Sequence, residues 1–263
     1  MQYYYQIWCM IFNDQINNRI EFQLFSKRVI SLVPSQSELL WDLGLRNELV
    51  GITKFCIHPN EMFKAVDKIG GTKTLNIEKI KALKPDLIIG NKEENERIQI
   101  LELQKYFPVW MSDIYNLEDS LSMIQSVGEL VNRAEEANKI KATIATSFLN
   151  LNKINQSVLY LIWKKPYMAA GKATFIGDML LKMGLNNVLS ETYARYPELS
   201  MDSIKQLNPE LIYLSSEPFP FNETHVEQFK SHLPNSKIMV VDGEMFSWYG
   251  SRLLKSVNYF NQL

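Results

Sequence analysis

Cys56 and His58 stand one residue apart in Phe55-Cys-Ile-His-Pro59. A thiol and an imidazole at that distance could share a metal ion or act as a nucleophile pair. The spacing matches no established zinc pattern, and nothing nearby in the sequence orients the imidazole. A zinc site built from cysteines alone needs about four thiolates, and the chain has 2, Cys9 and Cys56. The plainer reading is a small buried thiol beside a histidine at a turn, with pocket lining as an intermediate role. Gly70-Gly71-Thr72-Lys73-Thr74 lacks the spacing of a phosphate-binding P-loop and reads as a turn. No G-x-G-x-x-G follows the first apolar run, and no G-x-S-x-G elbow occurs. Glu93-Glu94 and Glu135-Glu136 read as solvated charge on polar helical faces, and His225 and His232 read as solvated. No catalytic residue is assigned.

The aromatic side chains are more informative. Trp163, Tyr167, Phe219, Phe221, Phe246, Trp248 and Tyr249 fall in segments with Pro or Gly that follow apolar runs. Rings on such turns more often line a pocket than fill a core. The runs before them read as strands: Val29–Val33, Leu87–Gly90, Val109–Met111, Val158–Ile162, Leu211–Ser215 and Lys237–Val241. Ser37–Leu43 and Thr174–Met183 read as helices closed by Gly44 and Gly184. Strand and helix alternate, which implies parallel sheets covered by helices. Ligands then bind beyond the carboxyl ends of the strands.

The chain also repeats itself. Asn76-Ile-Glu-Lys-Ile-Lys-Ala-Leu-Lys-Pro85-Asp-Leu-Ile88 and Ser200-Met-Asp-Ser-Ile-Lys-Gln-Leu-Asn-Pro209-Glu-Leu-Ile212 share a polar cap, a first-turn acid, a helix stopped by proline, an acid and an apolar strand. Between the repeats, apolar residues from Leu117 to Phe148 recur mostly at three- and four-residue steps. This predicts one long, stiff connecting helix over 116–149, capped by Asn116. The expected division is an N-terminal extension and hairpin (1–27), an N-terminal lobe (28–115), the helix (116–149) and a C-terminal lobe (150–263).

Composition narrows the classes. Of 263 residues, 46% are hydrophobic and 22% charged, which excludes a disordered chain. The net charge of −1 gives no field to attract nucleic acid. No apolar run approaches the ~18 residues of a membrane span. The opening residues have no Lys or Arg before the apolar run Ile7–Phe12, which is too short for a signal-peptide core; Met10 offers a second start.

Arg28-Val-Ile-Ser-Leu-Val-Pro-Ser35, the Gly44-Leu45 helix end, Val50-Gly-Ile52, the paired helix-Pro-acid-Leu-Ile elements and the long middle helix together resemble the substrate-binding proteins of class III ABC importers, the helical-backbone metal receptors. The likeness runs from about Asn13 to Leu263 and is nearest to the vitamin-B12-binding branch. It implies an α/β fold of two Rossmann-like lobes with parallel sheets, joined by a long rigid backbone helix. It also implies no enzymatic activity and no built-in cofactor. The lobes would clamp a cobalt corrinoid, haem or another iron chelate such as a siderophore. ABC permease subunits would be partners, the chain a monomer, and its place the periplasm or cell envelope. The missing export signal leaves the cytoplasm open.

The resemblance carries aromatic ligand contacts onto Phe55, the Trp163–Tyr167 segment and Tyr196. The tail from Asp242 to Arg252 resembles a ligand-facing segment, and Thr72 stands where the family has tryptophan. The family's docking acids fall on Glu78 and Asp202. With polar readers added, the expected ligand-binding set is Ser35, Phe55, His58, Trp163, Tyr167, Tyr196, Glu244, Phe246, Trp248 and Arg252. Two alternatives remain: a cytosolic corrinoid- or metal-handling enzyme using Cys56 and His58, and an adaptor whose aromatic loops bind a protein.

Overall fold

The computed structural model describes residues 10–22 and 26–263, so Cys9 and the opening residues lie outside it. The chain forms two compact units. The first contains the described residues up to Ile114, with Glu118–Thr143 and Tyr249–Arg252, and the second Tyr115–Leu117, Ile144–Trp248 and Leu253–Leu263.

In the first unit, β1 (Met10–Asn13) and β2 (Arg19–Phe22) make an antiparallel hairpin. There follow β3 (Val29–Ser31), α1 (Pro34–Asp42), β4 (Leu49–Ile52), α2 (Asn60–Ala65), β5 (Asp67–Lys68), α3 (Ile77–Leu83), β6 (Leu87–Asn91), α4 (Arg97–Gln104) and β7 (Val109–Ser112). The sheet order is β5-β4-β3-β6-β7, and every neighbouring pair is parallel. Strands covered on both faces must be apolar throughout, and β3, β6 and β7 are buried along their whole length. The hairpin turn closes the β7 edge. Gln15 N donates to Met111 O at 3.1 Å, Asp113 N donates to Gln15 Oε1 at 3.1 Å, and Met111 N donates to Asp14 Oδ2 at 3.3 Å. Backbone groups that would otherwise invite another strand are thereby occupied.

The expected single connecting helix is two: α5 (Leu117–Leu130) and α6 (Ala134–Leu149). Asn132 adopts a left-handed φ of 55°, and Arg133 N donates back to Gly128 O at 2.7 Å. Asparagine tolerates that conformation and ends helices with it. Lys141 Nζ donates to Gln125 Oε1 at 2.5 Å, and Gly128 faces Ala137, so α5 and this part of α6 run antiparallel. The apolar period continues through the break, which hid it. Residues 134–143 of α6 belong to the first unit and 144–149 to the second.

The second unit continues with β8 (Ser157–Trp163), β9 (Tyr167–Ala169), α7 (Phe175–Lys182), β10 (Asn186–Asn187), β11 (Glu198–Leu199), α8 (Met201–Leu207), β12 (Leu211–Ser215), α9 (Glu223–His232), β13 (Lys237–Val241), α10 (Gly243–Ser247) and α11 (Leu253–Phe260). Its sheet runs β11-β9-β8-β12-β13, with β10 also on β8. β8, β12 and β13 are parallel, but β9 and β11 are antiparallel additions, so this sheet is mixed rather than parallel throughout. Trp163–Tyr167 is therefore the turn of a hairpin, with Lys165 at a φ of 66°.

The internal repeat is structural. Asn76 Oδ1 accepts from Lys79 N at 2.9 Å to start α3, and Ser200 Oγ accepts from Ser203 N at 3.0 Å to start α8. The helices end on left-handed Lys84 (φ 47°) and Asn208 (φ 42°) before the prolines. The acid after each proline has one job. Asp86 accepts from Lys27 N and Arg28 N at 2.8 and 3.0 Å, and Glu210 accepts from Ser157 N and Oγ at 2.7 and 2.8 Å. Each pins the start of the neighbouring central strand.

Gly128 gives a stability test. Helix propensity alone favours Gly128→Ala by about 1 kcal/mol. A Cβ there would sit 2.2 Å from the Ala137 Cβ and 3.0 Å from Arg133 O. Overpacking of this kind costs about 1–3 kcal/mol. Chemical denaturation is expected to show a net loss of stability for Gly128→Ala; a gain would mean the two helices separate easily.

Candidate functional site

At the carboxyl edge of the first sheet, α1 starts directly after β3 with Pro34 in its first turn, and Ser35, Gln36, Ser37 and Glu38 are all buried. Four buried polar residues in succession must find partners. Ser37 Oγ lies 2.8 Å from both Ser31 Oγ and Val33 O, and 3.1 Å from Cys56 Sγ. Thr53 Oγ1 is also 3.1 Å from that sulfur. Burial pushes the Cys56 thiol above its usual pKa, against the hydroxyl bonds that pull the other way. A thiol held protonated is a poor nucleophile and a poor metal ligand. His58 is half-buried on the same loop. Among the described residues no cluster of three or more His, Cys, Asp or Glu could hold a metal ion. The enzyme alternative built on Cys56 and His58 thus gains no support from the site.

Beside it, Gln36 Nε2 and Asn91 Nδ2 donate to Ser112 Oγ at 2.6 and 3.0 Å. Asn95 ties β3 to the glycine turn, donating to Leu32 O at 3.3 Å and Thr72 O at 3.1 Å. The tail segment Tyr249–Arg252 packs into this edge. The Tyr249 hydroxyl donates to Glu94 Oε1 at 2.8 Å, and burial together with that carboxylate pushes the phenol well above its usual pKa. Glu94 is therefore a half-buried acceptor, not the solvated charge expected of Glu93-Glu94. Arg252 Nε and Nη2 donate to the two Glu38 carboxylate oxygens at 2.7 and 3.0 Å, with side chains 6% and 4% exposed. Arg252 is thus occupied by a structural pair, and Ser35 is buried under the same segment. Large apolar groups are exposed on this edge, Phe55 at 50% and Ile57 at 47%, with the exposed Lys54 beside them.

At the carboxyl edge of the second unit, Trp163 is 39% exposed and meets Phe219 edge-on at 5.7 Å between ring centroids. Phe219 in turn packs on Phe221 at 4.7 Å and His225 at 5.4 Å. His225 belongs to this cluster and caps α9, accepting from Asn222 N at 3.1 Å, so it is not simply solvated. Tyr167 is half-buried and packs on Phe229 at 5.2 Å, part of the core beneath the edge. Tyr196 is half-buried with the Arg195 guanidinium 5.6 Å from its ring. Phe246 is fully buried, within 5.0 Å of Tyr160 and 4.7 Å of Phe260, so it is core and not a ligand ring. Trp248 is buried as well, its indole donating to Glu217 Oε1 at 3.2 Å; Ser247 Oγ donates to the same oxygen at 2.8 Å. Burial raises the Glu217 pKa against these two bonds, and Glu244 and Asp242 nearby raise it further. Glu244 itself is half-buried.

Glu78 and Asp202 lie in the first turns of α3 and α8, equivalent places in the repeat. Their side chains are 85% and 89% exposed, with only loose i,i+3 lysine neighbours at 3.3 and 3.9 Å.

Each unit thus exposes an aromatic ring at a strand end, Phe55 in the first and Trp163 in the second. The family model for periplasmic binding proteins matches residues 29–236. The chain belongs to that family, and it is a substrate-binding protein rather than an enzyme. A vitamin B12-binding protein of Vibrio campbellii is 23% identical over 241 residues, covering 88% of this chain and 87% of the relative. Among solved structures, the periplasmic vitamin B12 binding protein of Vibrio cholerae matches with a TM-score of 0.73 and 20% identity over 90% of this chain and 96% of that one. The petrobactin-binding protein of Bacillus subtilis matches with a TM-score of 0.81 and 16% identity over 97% of this chain and 98% of that one.

Sequence reasoning missed Glu38, Glu94 and Glu217, the acids that hold Arg252, Tyr249 and Trp248. Glu38 left one signal: α1 holds no lysine or arginine for it to pair with.

Breaking a buried ion pair from one side costs about 3–5 kcal/mol. Arg252→Met is expected to lose about that much in chemical denaturation, with much of it recovered in the Arg252→Met/Glu38→Leu double variant. A stable Arg252→Met that fails only in ligand binding would return Arg252 to the ligand-facing set.

Proposed function

We propose that this chain is the substrate-binding component of an ABC importer. It takes a metal chelate, either a cobalt corrinoid or another iron or haem chelate, and delivers it to permease subunits in the periplasm or cell envelope. The observation that carries this reading is the exposure of two rings at strand ends, Phe55 on the loop after β4 in the first unit and Trp163 as the last residue of β8 in the second. A flat, partly apolar ligand covers such rings at about 1–3 kcal/mol per side chain buried. Tyr196 and His58 are proposed to add to these contacts. The B12- and petrobactin-binding relatives support a chelate as the ligand class. Among the described residues no helix is long and apolar enough to cross a membrane.

Visible absorption titrations with aquocobalamin, haemin and a ferric siderophore test the reading. A saturable spectral shift with at least one is expected, and no shift with any would contradict it. Trp163→Ala should weaken that binding by about tenfold or more with little change in melting temperature. A destabilised variant with unchanged affinity would make Trp163 a packing residue.

Glu78 and Asp202 are proposed to dock on the permease. Their exposure and equivalent positions support this; a first-turn acid also favours its helix dipole by about 0.3–1 kcal/mol. Glu78→Lys with Asp202→Lys should leave ligand affinity unchanged and abolish permease association in a pull-down. Loss of affinity instead would move the acids into the binding site.

A further inference from the structure

Phe55 does not hang loose in solvent. A Cβ added at Gly71 would lie 3.1 Å from Phe55 Cε2 and 3.5 Å from Lys54 Cε, so both side chains lean on the bare glycine. The backing is fixed. Gly71 N donates to Thr74 O at 2.8 Å, Thr74 N donates to Gly71 O at 3.2 Å, and Lys54 N donates to Gly70 O at 2.8 Å. Asn95 Nδ2 holds Thr72 O at 3.1 Å. The Lys54 ammonium stands 5.1 Å from the Phe55 ring centroid. Among the described residues Lys54 has no carboxylate partner.

We propose that Lys54, Phe55 and Gly71 form a preset platform for a planar chelate whose rim carries carboxylates. The inference rests on the binding reading above and narrows its ligand class. A ligand seated on the ring takes water away from the adjacent ammonium. Covering an unpaired cation is unfavourable unless an anion meets it. A carboxylate at the rim supplies that anion, and an amide-rimmed ligand does not. Gly71 acts as a positioning residue, because any side chain there tilts the ring away from its backing. Its φ lies outside the left-handed region, so a substitution changes packing without backbone strain.

The test uses the full chain with two probes, haemin, which carries propionate carboxylates, and dicyanocobinamide, which carries amides. Wild type is expected to bind haemin the more tightly, with affinity that falls as salt rises. Lys54→Met should weaken haemin binding by roughly two- to fivefold, the range of an exposed ion pair. It should flatten the salt dependence and leave dicyanocobinamide unchanged. Gly71→Ala should weaken both probes with melting temperature and far-UV spectrum unaltered. Equal effects of Lys54→Met on both probes, or wild-type preference for dicyanocobinamide, would overturn the rim assignment while the binding reading stands. Wild type that binds neither probe overturns the rim assignment, and the binding reading falls with it only if the ferric siderophore also gives no shift.

Discussion

The bidentate contact between Arg252 and Glu38 constrains more of this molecule than any other single interaction. Both side chains are almost wholly out of water, and each charge costs several kcal/mol to desolvate. The pair is tolerable because two short, parallel charge-assisted bonds return most of that cost. Its consequence is topological. Residues 249–252 belong to the first unit, although the chain on both sides of them belongs to the second. Gly250, at a φ of +110°, makes the close approach possible; a Cβ there would meet Ser35 O at 3.2 Å. Tyr249 then reaches Glu94. The tail expected to face a ligand is instead part of the wall that holds the first unit's strand-end loops.

The two edges divide their labour between fixed and exposed groups. Buried hydroxyls, amides and carboxylates tie the loops to the sheets, and a polar network of this kind holds its members in place. The rings that remain on the surface, Phe55 and Trp163, are then presented on rigid supports, Gly71 beneath one and Phe219 beside the other. Preorganisation of this sort limits the entropy lost on binding. It suits a protein whose task is to hold and release rather than transform. Cys56, the most chemically suggestive residue in the sequence, sits inside the network with its proton retained.

The elements written in local signals were legible. β12 and β13 occupy the expected ranges. The glycines expected to close helices have positive φ, +88° at Gly44 and +75° at Gly184. The repeat was readable because cap, acid and proline each act over a few residues. What escaped depended on distant partners. The break at Asn132 kept the apolar period intact, so periodicity passed over it. The antiparallel strands β9 and β11 are 3 and 2 residues long, too short for alternation to declare itself. Phe246 follows a strand in a glycine-containing segment, the pattern that marked pocket rings, yet four aromatic neighbours, Tyr160, Tyr213, Tyr259 and Phe260, enclose it. Arg252 reads from the sequence as a ligand-facing group, because its carboxylate partner Glu38 lies 214 residues away.

Hydrogen–deuterium exchange with and without haemin tests the central proposal, that strand-end loops carry the ligand contacts. The account predicts protection concentrated in residues 53–58 and 70–74 of the first unit and 163–167 of the second, with the antiparallel pair α5 and α6 unchanged. Saturating haemin that leaves those loops exchanging as before, or that protects α5 and α6 instead, would contradict it.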